Sequence, residues 1–179
     1  MANSLKALLP AVGRILDETP DSLYASQRAF VRGGLLESVS GRGPGSGTPA
    51  SPEAMAHFLI GICCHASRAE FARLAKGIAR ARSADGLCLF TGAKTFADAL
   101  AAVLADEALT RRVLNVDIAT TYGYAIIRYD GAKVQEGPEA FSKNPPKSTV
   151  FGGAPRREGL QFSALVPGEI ILKLAGVLQ

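Results

Sequence analysis

The sequence contains no tryptophan, only two histidines and two methionines, and 7% aromatic residues. A folded core must therefore consist mostly of Ala, Leu, Val and Ile. Apolar runs such as 58–64 are much shorter than the roughly 20 residues that span a bilayer, so we expect no transmembrane helix. Residues 1–10 have too short an apolar patch for a secretion signal, which makes a cytoplasmic protein the expectation. A hydrophobic fraction of 47% excludes wholesale disorder.

Metal-binding and catalytic motifs are also scarce. Cys63, Cys64 and Cys88 cannot all pair with one another, so reduced, buried thiols are expected rather than a disulfide framework. Together with His57 and His65 they show none of the closely spaced ligand pairs of structural zinc. No nucleophile elbow, Walker A loop or dinucleotide fingerprint occurs in a strand-to-helix context. We predict no metal, no cofactor and no enzymatic activity.

The charge is modest in total but uneven along the chain. The net charge is +4. Segment 65–82 carries five basic residues and one acidic residue, a local charge of +4, whereas 83–130 carries four basic and six acidic residues, a local charge of −2. A chain with this distribution can present one basic face to a polyanion.

Spacing of the apolar residues predicts an α+β protein. The pairs Thr19-Pro20 and Ser51-Pro52 are typical helix starts. Helices are predicted at 4–16 (with a kink or short break at Pro10), 20–32, 52–64, 67–82, 95–105, 106–112 and 167–178. Strands are predicted at 114–118, 122–129 and 160–165. The pair Asp130-Gly131 predicts a hairpin turn with a return strand at 132–135, and 137–148 is predicted to be a loop.

The first 50 residues contain, in order, a helix, a short link, a second helix, a Leu-Leu pair and a glycine-rich loop. This order is typical of a winged helix-turn-helix, in which one helix supports a second that enters the DNA major groove and a following hairpin, the wing, reaches the flanking backbone. We therefore predict a winged helix-turn-helix DNA-binding unit at 1–50. A helical and antiparallel β-hairpin module, for dimerisation or partner binding, is predicted at 51–179.

Segment 26–36 (SQRAFVRGGLL) resembles the recognition helix and wing entrance of MerR-type regulators. Arg28, Arg32 and the run Gly-Leu-Leu at 34–36 match the family pattern, in which an arginine-bearing recognition helix ends in Gly-Leu-Leu before the wing. Segment 48–58 is similar to the place where the next helix of that family begins. The resemblance covers roughly the first third of the chain and implies a DNA-binding regulator.

Polar and basic side chains of the second helix can hydrogen-bond phosphates and base edges. A glycine-rich wing would bring Arg42 close to a phosphate, and the basic helix at 67–82 could add further phosphate contacts. The predicted DNA-binding residues are Tyr24, Ser26, Gln27, Arg28, Arg32, Arg42, Arg73, Lys76 and Arg80. One helix reads only a few base pairs, so we expect a homodimer on double-stranded DNA. The predicted function is transcriptional regulation, of the kind that phages and prophages also encode.

Three alternatives remain open from the sequence. The helical N-terminus could grip a protein partner, as a phage-encoded inhibitor or adaptor does, without any DNA binding. The hairpin tyrosines Tyr122, Tyr124 and Tyr129 could form a ligand pocket, an enzymatic site or a dimer surface instead of lying in an ordinary half-buried sheet. The glycine-rich segment could be a flexible linker, and the basic face of 67–82 could simply be solvated.

Overall fold

The computed structural model describes residues 4–39, 41, 47–64, 71–131, 146–153 and 162–179. Within these ranges, six helices precede a four-stranded antiparallel sheet and a seventh helix follows it. The α+β class is therefore confirmed, while the winged helix-turn-helix stays a prediction. None of the described helices combines the length and the apolar character needed to cross a bilayer.

The helices begin largely where the sequence predicts. Thr19 accepts a hydrogen bond from the backbone N–H of Ser22 at 3.2 Å, and Ser51 accepts one from Ala54 at 3.2 Å, so both predicted N-caps are confirmed. The helices are α1 Leu5–Leu16, α2 Pro20–Arg32, α3 Pro52–Cys63, α4 Phe71–Ala79, α5 Phe96–Ala105, α6 Glu107–Thr110 and α7 Gly168–Leu178.

The prediction for α1 needs a correction, and the prediction for α4 can be compared with the structure only in part. Helix α1 runs through Pro10 without a break, so of the predicted kink or short break only the kink stays a prediction. A proline removes one intrahelical hydrogen bond, and the buried Leu9 and Val12 on either side of it hold the helix against the core. Helix α4 begins at Phe71, and 65–70, where the predicted helix starts, lie outside the described residues.

The sheet has the strand order β3-β2-β1-β4, and all neighbouring strands are antiparallel. The strands are β1 Val113–Ala119, β2 Tyr124–Tyr129, β3 Lys147–Phe151 and β4 Ser163–Pro167. Gly123 (φ 66°) lies in the turn that joins β1 and β2, because this backbone conformation is easy only for glycine. Leu114 is 45% exposed whereas Val116 and Ile118, two and four residues further along β1, are buried, because the pairing with β2 shifts between Val113 and Asn115.

The predicted hairpin after β2 is wrong. Tyr129 pairs with Val113 on one side and with Lys147 on the other, so both edges of β2 are occupied where a return strand at 132–135 would have to pair. Residues 132–135 themselves lie outside the described ranges. The neighbour of β2 is β3, which comes after a long connection, and Lys147 and Ser148 belong to that strand and not to the predicted loop.

One hydrophobic core joins the helices to the sheet. It includes residues from α1 at one end of the chain to α7 at the other, for example Leu5 and Leu174. Helix α3 passes through its centre, and the rings of Phe30 on α2 and Phe58 on α3 lie 5.6 Å apart. Gly61 on α3 provides the space for Phe30, since a Cβ at position 61 would lie 2.6 Å from its ring. The domain boundary at residue 50 stays a prediction.

Gly61→Ala should lower the free energy of unfolding by about 1–3 kcal/mol, because the added methyl group overpacks the contact with Phe30. Gly77→Ala on α4 is the matched control, since a Cβ there has no neighbour within 4 Å. The control should raise stability by up to about 1 kcal/mol through helix propensity. Urea unfolding measures the change in the free energy of unfolding, which should be negative for Gly61→Ala and positive for Gly77→Ala. An equal gain in stability at the two positions would contradict the packing described for Phe30.

Candidate functional site

Helix α2 presents some of the predicted DNA-binding side chains to solvent and buries one of them. Arg28 and Arg32 are exposed, and Tyr24 and Ser26 are half-buried. Gln27 is 6% exposed, so the expectation that it faces outward is wrong. It follows Leu23 by four residues and precedes Phe30 by three, and at helical spacing this places it on the inward face.

A cavity of about 300 Å³ lies beside this part of α2. Its walls come from the start of α1, one side of α2 and the residues at the two ends of the glycine-rich loop. The lining residues are Ser4, Lys6, Tyr24, Gln27, Arg28, Val31, Arg32, Ser38, Gly47 and Thr48. Three of these ten are cationic and none is acidic, so the cavity attracts anions.

The positively charged side chains of the cavity are not neutralised by a described carboxylate, so they can bind an anionic ligand. Neither Arg28 nor Arg32 forms an ion pair with any residue that the structure describes. The ammonium group of Lys6 lies 4.5 Å from the centre of the Tyr24 ring. This cation–π contact positions Lys6 at the wall without neutralising its charge.

Two buried oxygens among the lining residues lack hydrogen bonds. They are Oε1 of Gln27 and Oγ1 of Thr48, on side chains that are 6% and 2% exposed. A buried polar atom without a partner costs about 1–3 kcal/mol, and most such atoms in folded proteins have one. Three other buried polar atoms of the described residues also lack a partner, namely Oγ of Ser83, Nε of Arg112 and Oδ1 of Asp117, but at the cavity two such atoms lie among the residues of one lining.

Backbone hydrogen bonds hold the loop side of the cavity in place. Val39 and Gly47 exchange two of them, at 3.0 and 2.8 Å. The carbonyl of Thr48 accepts a third from the N–H of Leu5 at 2.8 Å, which ties the end of the loop to the start of α1. The pairing of Val39 with Gly47 is a single antiparallel bridge that holds the two ends of the loop together. Arg42, predicted at its tip, lies outside the described residues.

Helix α4 brings a second set of basic residues next to α2. A Cβ built on Gly33 would lie 2.9 Å from Cβ of Ala72, and one on Gly34 would lie 3.1 Å from Nζ of Lys76. Lys76 therefore lies beside Gly34, which follows Arg32 by two residues just after the end of α2. Arg73 is exposed on the same short helix, and Arg80 is exposed directly after its end.

Six of the ten cavity residues were missed by sequence reasoning, among them Lys6 and Thr48. A lysine on an amphipathic helix and a threonine next to a proline are common on surfaces, and nothing local distinguishes these two. The helical spacing of Leu23, Gln27 and Phe30 could have shown that Gln27 faces inward. These three positions fall on one side of a helix, and the other two are apolar.

The residues considered for metal binding do not form a site in the described parts of the chain. No group of three or more His, Cys, Asp or Glu residues with metal-binding geometry occurs there, and His65 lies outside those parts. Nδ1 of His57 donates to the carbonyl of Glu53 at 2.9 Å, and Sγ of Cys88 donates to Oγ1 of Thr149 at 3.7 Å.

Two of the three hairpin tyrosines belong to the core packing and do not line the described cavity. The ring of Tyr129 stacks on Phe90 at 4.1 Å between centroids, and the residue is 4% exposed. Tyr124 is 3% exposed, and Tyr122 packs against the same apolar group as Tyr124. The interpretation of these residues as an ordinary sheet fits their burial.

Comparisons with known proteins found no counterpart for this chain. No protein-family model matches it, no curated protein matches it, and no solved structure matches it.

Two neighbouring thiols lie at the C-terminal end of α3, Cys63 as its last residue and Cys64 as its C-cap, and desolvation raises the pKa of both. Desolvation raises the pKa of Cys64 to about 12, and desolvation followed by repulsion from Cys64 raises the pKa of Cys63 to about 12. At pH 8 only about one thiol in ten thousand is then the reactive thiolate. Labelling with a disulfide reagent, mapped by mass spectrometry, should be very slow at both sites in the native protein.

The labelling rate should rise about tenfold per pH unit up to pH 10 without levelling off, because the folded pKa lies above that range. In urea, where the thiols return to ordinary values, the same rate should level off near pH 9. Rapid labelling of Cys63 in the folded protein at pH 8 would show that its thiol is not desolvated.

Proposed function

We propose that the protein binds double-stranded DNA as a homodimer and regulates transcription. In this proposal α2 enters the major groove, and the loop closed by Val39 and Gly47 lies along the neighbouring backbone. The observation that carries the proposal is the cationic surface at the C-terminal half of α2. There Arg28 and Arg32 are exposed, without a carboxylate partner among the described residues.

The spacing of the two arginines supports this use. Positions 28 and 32 are four apart, so the two side chains lie one turn from each other on one face of the helix. A guanidinium group can bind a phosphate or the O6 and N7 atoms of guanine with two hydrogen bonds. Side chains one turn apart can therefore reach successive positions along a groove.

The acidic residues of this region restrict how a duplex approaches. Asp17, Glu18 and Asp21 are all exposed at the N-terminal end of α2. They would repel phosphates, whereas Arg28, Arg32 and the adjacent Lys76 would attract them. The duplex should therefore lie over the C-terminal half of α2 and the start of α4.

The resemblance of 26–36 to MerR-type regulators supports the same assignment, since the arginines occupy the recognition helix before Gly-Leu-Leu. Dimerisation follows from the energetics of DNA recognition, because one helix reads only a few base pairs and a second copy supplies the missing affinity. The C-terminal module is the proposed source of the dimer contact, and the site of action is the cytoplasm.

Arg28→Ala and Arg32→Ala should each weaken binding to a duplex selected from a random pool by about 1–3 kcal/mol if the side chain reads a base. Arg14→Ala is the matched control, because Arg14 is exposed on α1 and does not line the cavity. Its loss should change the affinity little. Binding is measured by fluorescence anisotropy with the selected duplex and with a scrambled one.

Equal affinities of the wild type and both α2 variants for the selected duplex would overturn the assignment of α2 as the recognition helix. If the wild type binds no duplex even at low salt, DNA binding itself is wrong. The protein-interaction function is then the one to pursue.

Removing the basic side chains on α4 and directly after it should have a different effect on DNA binding. Arg73→Ala, Lys76→Ala and Arg80→Ala should reduce affinity for selected and scrambled duplexes alike, because phosphate contacts carry no sequence information. Each lost contact should also lower the slope of log affinity against log salt by about 0.9. Arg42→Ala in the loop is expected to behave in the same way. A loss confined to the selected duplex would contradict a backbone-contacting role.

A further inference from the structure

We propose that the cavity beside α2 binds a small phosphorylated metabolite, and that its occupation releases the protein from DNA. The binding step stands on the cavity alone, whereas the release step rests on the proposed DNA-binding function. Three properties of the cavity carry the inference: its charge, its unpartnered oxygens and its size.

The positive charge of the lining residues favours an anionic ligand. Lys6, Arg28 and Arg32 line the cavity, and none of the other lining residues is acidic. Two guanidinium groups one helical turn apart can each donate paired hydrogen bonds to a phosphate, which a single ammonium group cannot do. A phosphate group is therefore the anion that matches this wall.

The two buried oxygens indicate that the ligand carries hydrogen-bonding groups in addition to its negative charge. Oε1 of Gln27 can only accept a hydrogen bond, so its partner must be an N–H or O–H donor. Oγ1 of Thr48 can donate or accept and also has no partner. The ligand should thus carry hydroxyl or amino groups in addition to its phosphate, as sugar phosphates and nucleotides do.

The size favours a small molecule. A volume of about 300 Å³ equals that of about ten water molecules and lies at the lower end of ligand pockets. A duplex lying across α2 could place a phosphate at the rim. The oxygens of Gln27 and Thr48 lie deeper, on side chains that are 6% and 2% exposed. A ligand inside the cavity can bond to them once the side chains of Gln27 and Thr48 shift, because neither oxygen is accessible in the present conformation.

The shared arginines couple the ligand to DNA. Arg28 and Arg32 line the cavity and are also the residues proposed to enter the groove. Guanidinium groups that bind a phosphate inside the cavity are not available to the duplex. The two ligands therefore compete, and each should lower the apparent affinity for the other.

The test uses the full chain in calorimetric titrations and thermal unfolding. The probes are inorganic phosphate, glucose 6-phosphate and adenosine 5′-monophosphate, with glucose and adenosine as matched uncharged controls. Saturable binding, with a raised Tm, is expected for at least one of the two organic phosphates, and more weakly for inorganic phosphate. The uncharged controls should not bind.

Thr48→Val is the decisive variant, because it removes the hydroxyl and keeps the shape of the side chain. The backbone carbonyl that accepts from Leu5 is unaffected. The variant should bind the organic phosphate about tenfold more weakly and keep its affinity for the selected duplex. Gln27→Met should weaken the organic phosphate similarly, and circular dichroism checks that both variants are folded.

Adding the organic phosphate at a saturating concentration should raise the Kd of the wild type for the selected duplex, and raise it less for Thr48→Val. The absence of saturable binding by all three phosphates, or unchanged organic-phosphate binding by both variants, would overturn the inference while leaving DNA binding intact. Phosphate binding without any affinity for DNA would refute the proposed function and leave the cavity as a ligand site.

Discussion

The packing of α2 against α3 is the contact on which the candidate site depends. Phe30 lies against Gly61 and faces the ring of Phe58, and Leu23 on the same stripe is 1% exposed. Because the inward face of a helix determines its outward face, this contact directs Arg28 and Arg32 to solvent. It also places the Gln27 amide against the cavity wall. If α2 rotated about its axis, Phe30 would lose its contact with the core, and both arginines would leave their present positions at the same time.

The site combines features that serve stability poorly. Cations gathered without carboxylates repel one another, and unpartnered oxygens at Gln27 and Thr48 lose hydration without recovering a hydrogen bond. Elsewhere side-chain caps at Thr95 and Asp106 and paired strands stabilise the fold, although three further buried polar atoms lack partners there. Departures of this kind from the usual balance are expected where a protein binds something. This is the physical ground for placing function at α2 and not at the hairpin tyrosines, which are packed and stacked.

Local signals in the sequence were sufficient to predict the positions of most of the helices. The caps at Thr19 and Ser51 and the spacing of apolar residues predict α2 and α3 at nearly their observed bounds, since these signals act within one turn of the chain. The strand after Tyr129 shows the opposite case. The pair Asp130-Gly131 is a sound local indication of a turn. Nevertheless β3 pairs with β2, and pairing across a long connection is decided by the whole sheet and leaves no local pattern.

The sequence by itself determined that this chain has an alanine- and leucine-rich α+β core and an arginine-bearing helix before a glycine-rich loop, because propensity, capping and periodicity are properties of neighbouring residues. Only the tertiary structure decided which side chains meet. Lys6 and Thr48 join Arg28 across 20 or more positions of sequence, and Gln27 turns inward, because packing of three separate segments sets these distances and no segment encodes them alone.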